Sequence, residues 1–141
     1  MIKYLLDTNI CIYVIKRRPI EVLSRFNEAA GHLAISSITL AELLHGVEKS
    51  QHTSKNLQAV EDFCSRLDVI EYDPKAAAHY GEIRAELELT GTTIGVNDLH
   101  IAGHARSLGT ILVTNNMKEF ERVEGLRLQN WISLEPVNNS V

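Results

Sequence analysis

The sequence predicts an α/β fold, an α/β/α sandwich around a central, mostly parallel sheet of four to five strands. Three observations point there. Short β-like runs alternate with helical stretches, the pattern of strands joined by helical crossovers. No repeat, low-complexity tract or Pro/Gly-rich linker divides the chain. Its 141 residues, 45% of them hydrophobic, suit one domain with a core of its own. That domain is expected over residues 1–135, with 136–141 as a loose tail.

The first strand is expected at Ile2–Leu6, ending on Asp7. A short helix follows over Ile10–Ile15, then the basic run Lys16-Arg17-Arg18. Pro19 fits the first turn of a second helix, Ile20–Ala30. His32–Ser36 reads as the second strand. Thr39 then opens a helix that ends between Gly46 and Lys49. In Lys55–Leu67 the apolar residues Leu57, Val60, Cys64 and Leu67 recur at spacings 3, 4 and 3, one face of a helix. Val69–Tyr72 is a third short strand. Asp73-Pro74 pairs a capping side chain with a proline at the first helical position. Ala76, Tyr80, Ile83 and Leu87 carry that helix's apolar face until Gly91 stops it. Asn97 is read as the cap of the next helix, and Gly109 as its end. Thr110–Thr114 and Leu126–Leu128 complete the strands.

Composition excludes several classes. The formal charge is −4, from 14 Lys+Arg against 18 Asp+Glu, so bulk charge alone would not hold this chain on nucleic acid. The longest apolar runs, such as Ile10–Ile15, fall far short of the ~20 residues of a bilayer span. The N-terminus lacks the layout of a secretory signal. Cys11 and Cys64 sit among apolar residues and offer no zinc-ligand pair. Both are expected reduced, in a cytoplasmic protein. No GxxxxGK[ST] phosphate loop is present.

Parallel sheets bind ligands beyond the carboxyl ends of their strands. The polar residues expected there are Asp7, Glu42, Asp98, Thr114, Asn116 and Glu119. Each acid also has a purely structural reading. Asp7 could form an Asx turn. Glu42 closes Thr39-Leu40-Ala41-Glu42, a capping-box pattern. Asp98 in a first turn favours the helix dipole, and Glu119 lies in a charged stretch. If the acids converge, repulsion forces a proton onto one of them unless a cation intervenes. All-oxygen donors without a His/Cys spacing motif favour Mg²⁺, with Mn²⁺ as substitute, over zinc. A cation so held suits phosphodiester hydrolysis.

Four segments, in order, resemble those of a known family. Leu5-Leu6-Asp7-Thr8-Asn9 is similar to the opening motif of PIN-domain nucleases. Thr39–Gly46, Gly95–Ala102, and Leu112–Asn116 followed by Glu119-Phe120 resemble the family's second to fourth motifs. The resemblance spans Met1 to Trp131. It is nearest to the VapC toxins of bacterial type II toxin–antitoxin pairs, of the enteric type that cleaves initiator tRNA. It implies a PIN-domain fold and a Mg²⁺-dependent endoribonuclease that cuts tRNA(fMet) in the anticodon loop and inhibits translation. It implies a homodimer, and a VapB-like antitoxin that neutralises the toxin and carries it to operator DNA. Carried over by position, Asp7, Glu42, Asp98 and Glu119 are the catalytic candidates, and Asp7 and Asp98 the metal ligands. The fourth motif departs from the commonest pattern, because Asn116 stands where many members have Asp. Glu119 is taken as the substitute acid, with Thr114 and Asn116 as supporting hydrogen-bonders.

Lys16, Arg17 and Arg18 are candidate RNA-phosphate contacts, or simply a solvated helix end. His100 and His104 lack the HExxH pattern and read as packing or surface residues. Two rival functions are weighed. A haloacid-dehalogenase-like phosphotransferase would use Asp7 as nucleophile but wants Asp where Asn9 stands. A non-enzymatic α/β binding module would use the acids as caps and surface.

Overall fold

The fold is taken from a computed structural model, which describes residues 1–132. The expected tail 136–141 lies outside the described residues, as does the end of the expected domain. In chain order the elements are β1 (Tyr4–Leu6), α1 (Thr8–Lys16), α2 (Ile20–Glu28), β2 (Leu33–Ser36), α3 (Ser37–Glu48) and α4 (Thr53–Cys64). Then come β3 (Asp68–Ile70), α5 (Pro74–Leu89), α6 (Val96–Leu108), β4 (Ile111–Val113), α7 (Met117–Phe120) and β5 (Arg127–Gln129). The strands form one sheet in the order β3-β2-β1-β4-β5, with every neighbouring pair parallel.

Strand alternation builds two cores from one sheet. Leu5, Ala34 and Leu112 are in register and pack with Ile83, Leu99 and Ala102 of α5 and α6. Leu6, Ile35 and Val113 point the other way, onto Ile10, Val22, Val47 and Phe63 of α1 to α4. Covering both faces explains why the central strands read as unbroken apolar runs.

The strand order reverses direction between β1 and β4. The chain moves outward from β1 to β2 and β3, then returns to β4 on the other side of β1. Helices leave the carboxyl ends of β1 and β4 in opposite directions there, which opens a crevice at their shared rim.

Several expectations are corrected. Helix α3 starts at Ser37, not Thr39, because Ser36 is its cap, with Oγ accepting the Ile38 N–H at 3.1 Å. Thr39 is buried inside the first turn, so there is no capping box, and Glu42 falls in the second turn rather than the first. Helix α6 starts at Val96 after a Gly95 cap, so Asn97 is inside the helix and its side chain is free for other work. Pro19 precedes α2 instead of opening its first turn. Helix α7 has no counterpart in the sequence reading. It is a single turn, too short to show a period. Asp73 caps α5 as expected, its Oδ1 accepting the Ala76 N–H at 2.9 Å. Gly109 ends α6 with φ of 70°, where a left-handed residue is needed.

Candidate active site

Asp7 follows β1 directly and is buried. Its Oδ1 accepts the Ile10 N–H at 3.0 Å, capping α1, and its Oδ2 accepts the Thr114 hydroxyl at 2.5 Å. The Asx reading is therefore correct for one oxygen, while the other faces the crevice wall built by β4. An ionised carboxylate offers about four acceptor positions, so the capping role leaves Asp7 room for a ligand. Burial, followed by the nearby Glu42 charge, pushes its pKa above the ordinary carboxylate value, and the Thr114 and Ile10 hydrogen bonds pull it back.

Glu42 is clamped at both oxygens. Thr8 of α1 donates its hydroxyl to Oε1 at 2.6 Å, and Asn97 of α6 donates its amide to Oε2 at 3.0 Å. Three helices thus meet at one carboxylate. Asp98 is half-buried in the first turn of α6. Burial and then the charges of Asp7, Glu119 and Glu42 raise its pKa from 3.8 to about 6. Asp98 thus feels the charges of the other three acids, each carried by a different part of the chain. Glu119 sits half-buried in the first turn of α7. Asn116 caps that turn by position, without a side-chain cap bond, and its backbone N–H donates to Thr114 Oγ1 at 2.9 Å. Thr114 therefore accepts from Asn116 and donates to Asp7.

Thr8 and Asn97 carry a role that sequence reasoning did not assign. The sequence suggests a capping role for Asn97, but Gly95 holds that position. Only the true helix start at Val96 frees its amide to reach Glu42. Thr8 lies within the quoted first motif, but nothing local signals a partner that is 34 residues away.

No Lys, Arg or His lies within 4 Å of these four carboxylates among the described residues, where the ion pairs are Arg66–Asp62, Arg84–Glu88 and Arg106–Glu82. Crowded acids without a counter-charge suit a divalent cation. Also among the described residues, no three His, Cys, Asp or Glu side chains stand close enough to coordinate one ion together. Mg²⁺ keeps several waters and takes one or two carboxylates, so it needs fewer protein ligands than a closed zinc site does.

Lys16 ends α1, and Arg17 caps it in a left-handed conformation, φ 59°. Lys16, Arg17 and Arg18 are exposed. Lys16 and Glu42 line one cleft of about 290 Å³ together with Ile12, Leu43 and Val47. A cleft of about 320 Å³ around Tyr4, Arg25, His32 and Trp131 lies at the amino ends of β1 and β2 and includes none of the four acids. Cys11 and Cys64 are free thiols. No helix of the described residues is long and apolar enough to cross a membrane.

Comparison with known proteins places this geometry among relatives. Residues 4–126 match the family described as PIN domain. The chain is 61% identical over 132 residues to the "Ribonuclease VapC2" of Haemophilus influenzae, covering 94% of this chain and 100% of that one. It is 56% identical over 131 residues to the "tRNA(fMet)-specific endonuclease VapC" of Shigella flexneri, covering 93% and 99%. Among solved structures, this chain superposes with a TM-score of 0.90 on one from the DNA-bound VapBC of Salmonella typhimurium, at 52% identity and covering 94% and 100%.

Proposed function

The chain belongs to the PIN-domain family, among its VapC ribonucleases, and on that premise we propose that it is the toxin of a type II toxin–antitoxin pair, a Mg²⁺-dependent endoribonuclease acting on initiator tRNA. The observation that carries the catalytic part is Asp7 at the β1–β4 rim, bonded to Thr114, with the charges of Asp7, Glu119 and Glu42 acting on Asp98 and no cationic side chain within 4 Å of these carboxylates among the described residues. The tRNA substrate is supported by the Shigella flexneri relative's name.

Asp7 and Asp98 would hold the cation. When bound, it would neutralise charge on the phosphate and lower the pKa of a coordinated water. Thr114 keeps Asp7 Oδ2 aimed into the crevice and favours its ionised form. Thr8 and Asn97 fix Glu42, which accepts the proton of the attacking water. Glu119 orients that water from the α7 side. Attack in line with the leaving oxygen forms the new P–O bond and breaks the P–O3′ bond, leaving 5′-phosphate and 3′-hydroxyl ends. Lys16, Arg17 and Arg18 contact flanking phosphates from the end of α1.

A nuclease that cuts its own cell's RNA needs restraint. We infer a VapB-like antitoxin that covers the site and brings the toxin, as a homodimer, to operator DNA. The solved VapBC complex bound to DNA supports this partner. Site chemistry and working compartment agree: reduced thiols and RNA substrate suit the cytoplasm.

The test is incubation of purified protein with total tRNA, with and without Mg²⁺, followed by mapping of cut ends. A Mg²⁺-dependent cut in the initiator-tRNA anticodon loop is expected. No cleavage of any RNA under either metal condition would overturn the reading. Cleavage undiminished by chelator would overturn its cation.

A further inference from the structure

Three residues past Asn97 on α6 lies a ring cluster that the hydrolytic chemistry does not use. His100 stacks on Tyr80 of α5, with centroids 4.0 Å apart and planes 5° from parallel. Tyr72, just past β3, meets His100 edge-on at 5.1 Å, and its hydroxyl shares a 2.7 Å hydrogen bond with His100 Nδ1. Arg84 donates to the Tyr80 hydroxyl at 2.5 Å and lies 5.9 Å from that ring's centroid. Backbone packing sets this geometry. A Cβ on Gly103 would lie 2.8 Å from the Tyr80 nitrogen, so only glycine lets α6 approach α5 at this level.

Two features separate the cluster from ordinary core. His104, the next histidine on the same face, is fully buried and bonded to Ser36 Oγ at 2.8 Å. Tyr72, Tyr80, His100 and Arg84 all keep part of their surface open to solvent. The cluster is also joined to the acids. Asn97 and His100 are three apart on α6, hence neighbours on one face, and Asn97 holds Glu42. Aromatic faces beside a basic side chain are the general means by which proteins grip unpaired bases.

We propose that the Tyr72–Tyr80–His100 cluster, backed by Arg84, is a stacking site for an unpaired base of the RNA substrate beside the scissile phosphate. This rests on the ribonuclease reading above and adds to it the requirement for a single-stranded nucleotide. The solvent-open side of the ring cluster takes the base, and Arg84, which also pairs with Glu88 at 3.3 Å, adds positive charge beside it. Recognition by stacking tolerates any base identity, so the site selects looped over paired RNA.

The experiment uses the full chain carrying Asp98→Asn, so that RNA stays intact. The probe is a hairpin RNA with 2-aminopurine placed at each loop position in turn. One position is expected to change fluorescence on binding. His100→Ala should abolish that change and weaken binding about 10-fold, while His100→Phe keeps both. An abasic residue at that position should cost the same, with no further loss from His100→Ala. Should His100→Ala fail to fold by circular dichroism, Tyr72→Leu reads the same fluorescence change. Undiminished binding and fluorescence in the ring variants would overturn the stacking site alone, provided the parent still cleaves RNA. A loss traced by gel filtration to a changed oligomer would overturn it in favour of an interface between copies. A parent that neither binds nor cleaves RNA would overturn both proposals.

Discussion

The Thr114 hydroxyl donates to Asp7 Oδ2 at 2.5 Å, joining residues 107 apart at the carboxyl ends of two adjacent strands. The same rim is tied by the backbone, where Asp7 N–H donates to Val113 O at 3.0 Å. Thr114→Val should therefore keep the fold but release Oδ2. Metal affinity or cleavage is expected to fall about 10- to 100-fold, the usual cost of losing a group that orients a ligand. Thr114→Ser should restore most of it. Mg²⁺ titrations of cleavage rate check this, and equal rates for Val and Thr would remove Thr114 from the site.

Asp98→Asn should abolish cleavage. Because Asp98 stands against the charges of Asp7, Glu119 and Glu42, the change also relieves repulsion. The metal-free variant should melt at or above the parent temperature. Near-normal cleavage at matched metal, or a large loss of stability, contradicts the role given to this acid.

The pH dependence follows from the same group. Its folded-state pKa of about 6 exceeds the ordinary 3.8, so the folded chain holds the proton more tightly than the unfolded one. Its contribution to metal-free stability is full below 3.8 and declines as pH rises to about 6. Metal binding needs the ionised carboxylate. The Mg²⁺-induced rise in melting temperature should thus grow across that window. Thermal scans at pH 5, 6 and 7.5, parent against Asp98→Asn, isolate the effect. A Mg²⁺ shift that is flat with pH in the parent would show that Asp98 is not a ligand.

Gly103→Ala should be destabilising by about 1–3 kcal/mol, as overpacking usually is. The new methyl would meet backbone atoms of Tyr80 and Ala76, which cannot rotate aside. Denaturant titration measures this. An unchanged midpoint would mean that α5 and α6 can separate freely.

Reversing charge with Lys16→Glu and Arg18→Glu should flatten the salt dependence of RNA binding. Each lost phosphate contact lowers the log–log slope by about 0.7 for a single strand. These side chains are exposed, so stability should change little. An unaltered slope would return them to the solvated helix end.

Much of this protein is local in origin. The alternation of strands and helices, the Asp73 cap, the Gly109 stop and the candidate acids all appear in the linear chain, because period, capping chemistry and φ preference act over a few residues. Errors arose where a boundary depends on what lies beyond it. Strand β2 runs directly into α3, so Ser36 rather than Thr39 caps it. The single turn of α7 is held by its place beside β4, and Phe120 is fully buried there.

The residues themselves determined which groups were available: four carboxylates with hard oxygen donors. Tertiary structure alone decided their partners. Thr8, Asn97 and Thr114 reach Glu42 and Asp7 only because a parallel sheet reverses its order between β1 and β4 and brings distant helix starts to one rim. Hydrogen bonds form between whichever groups the packed backbone sets about 3 Å apart, and no pattern along the chain encodes that separation.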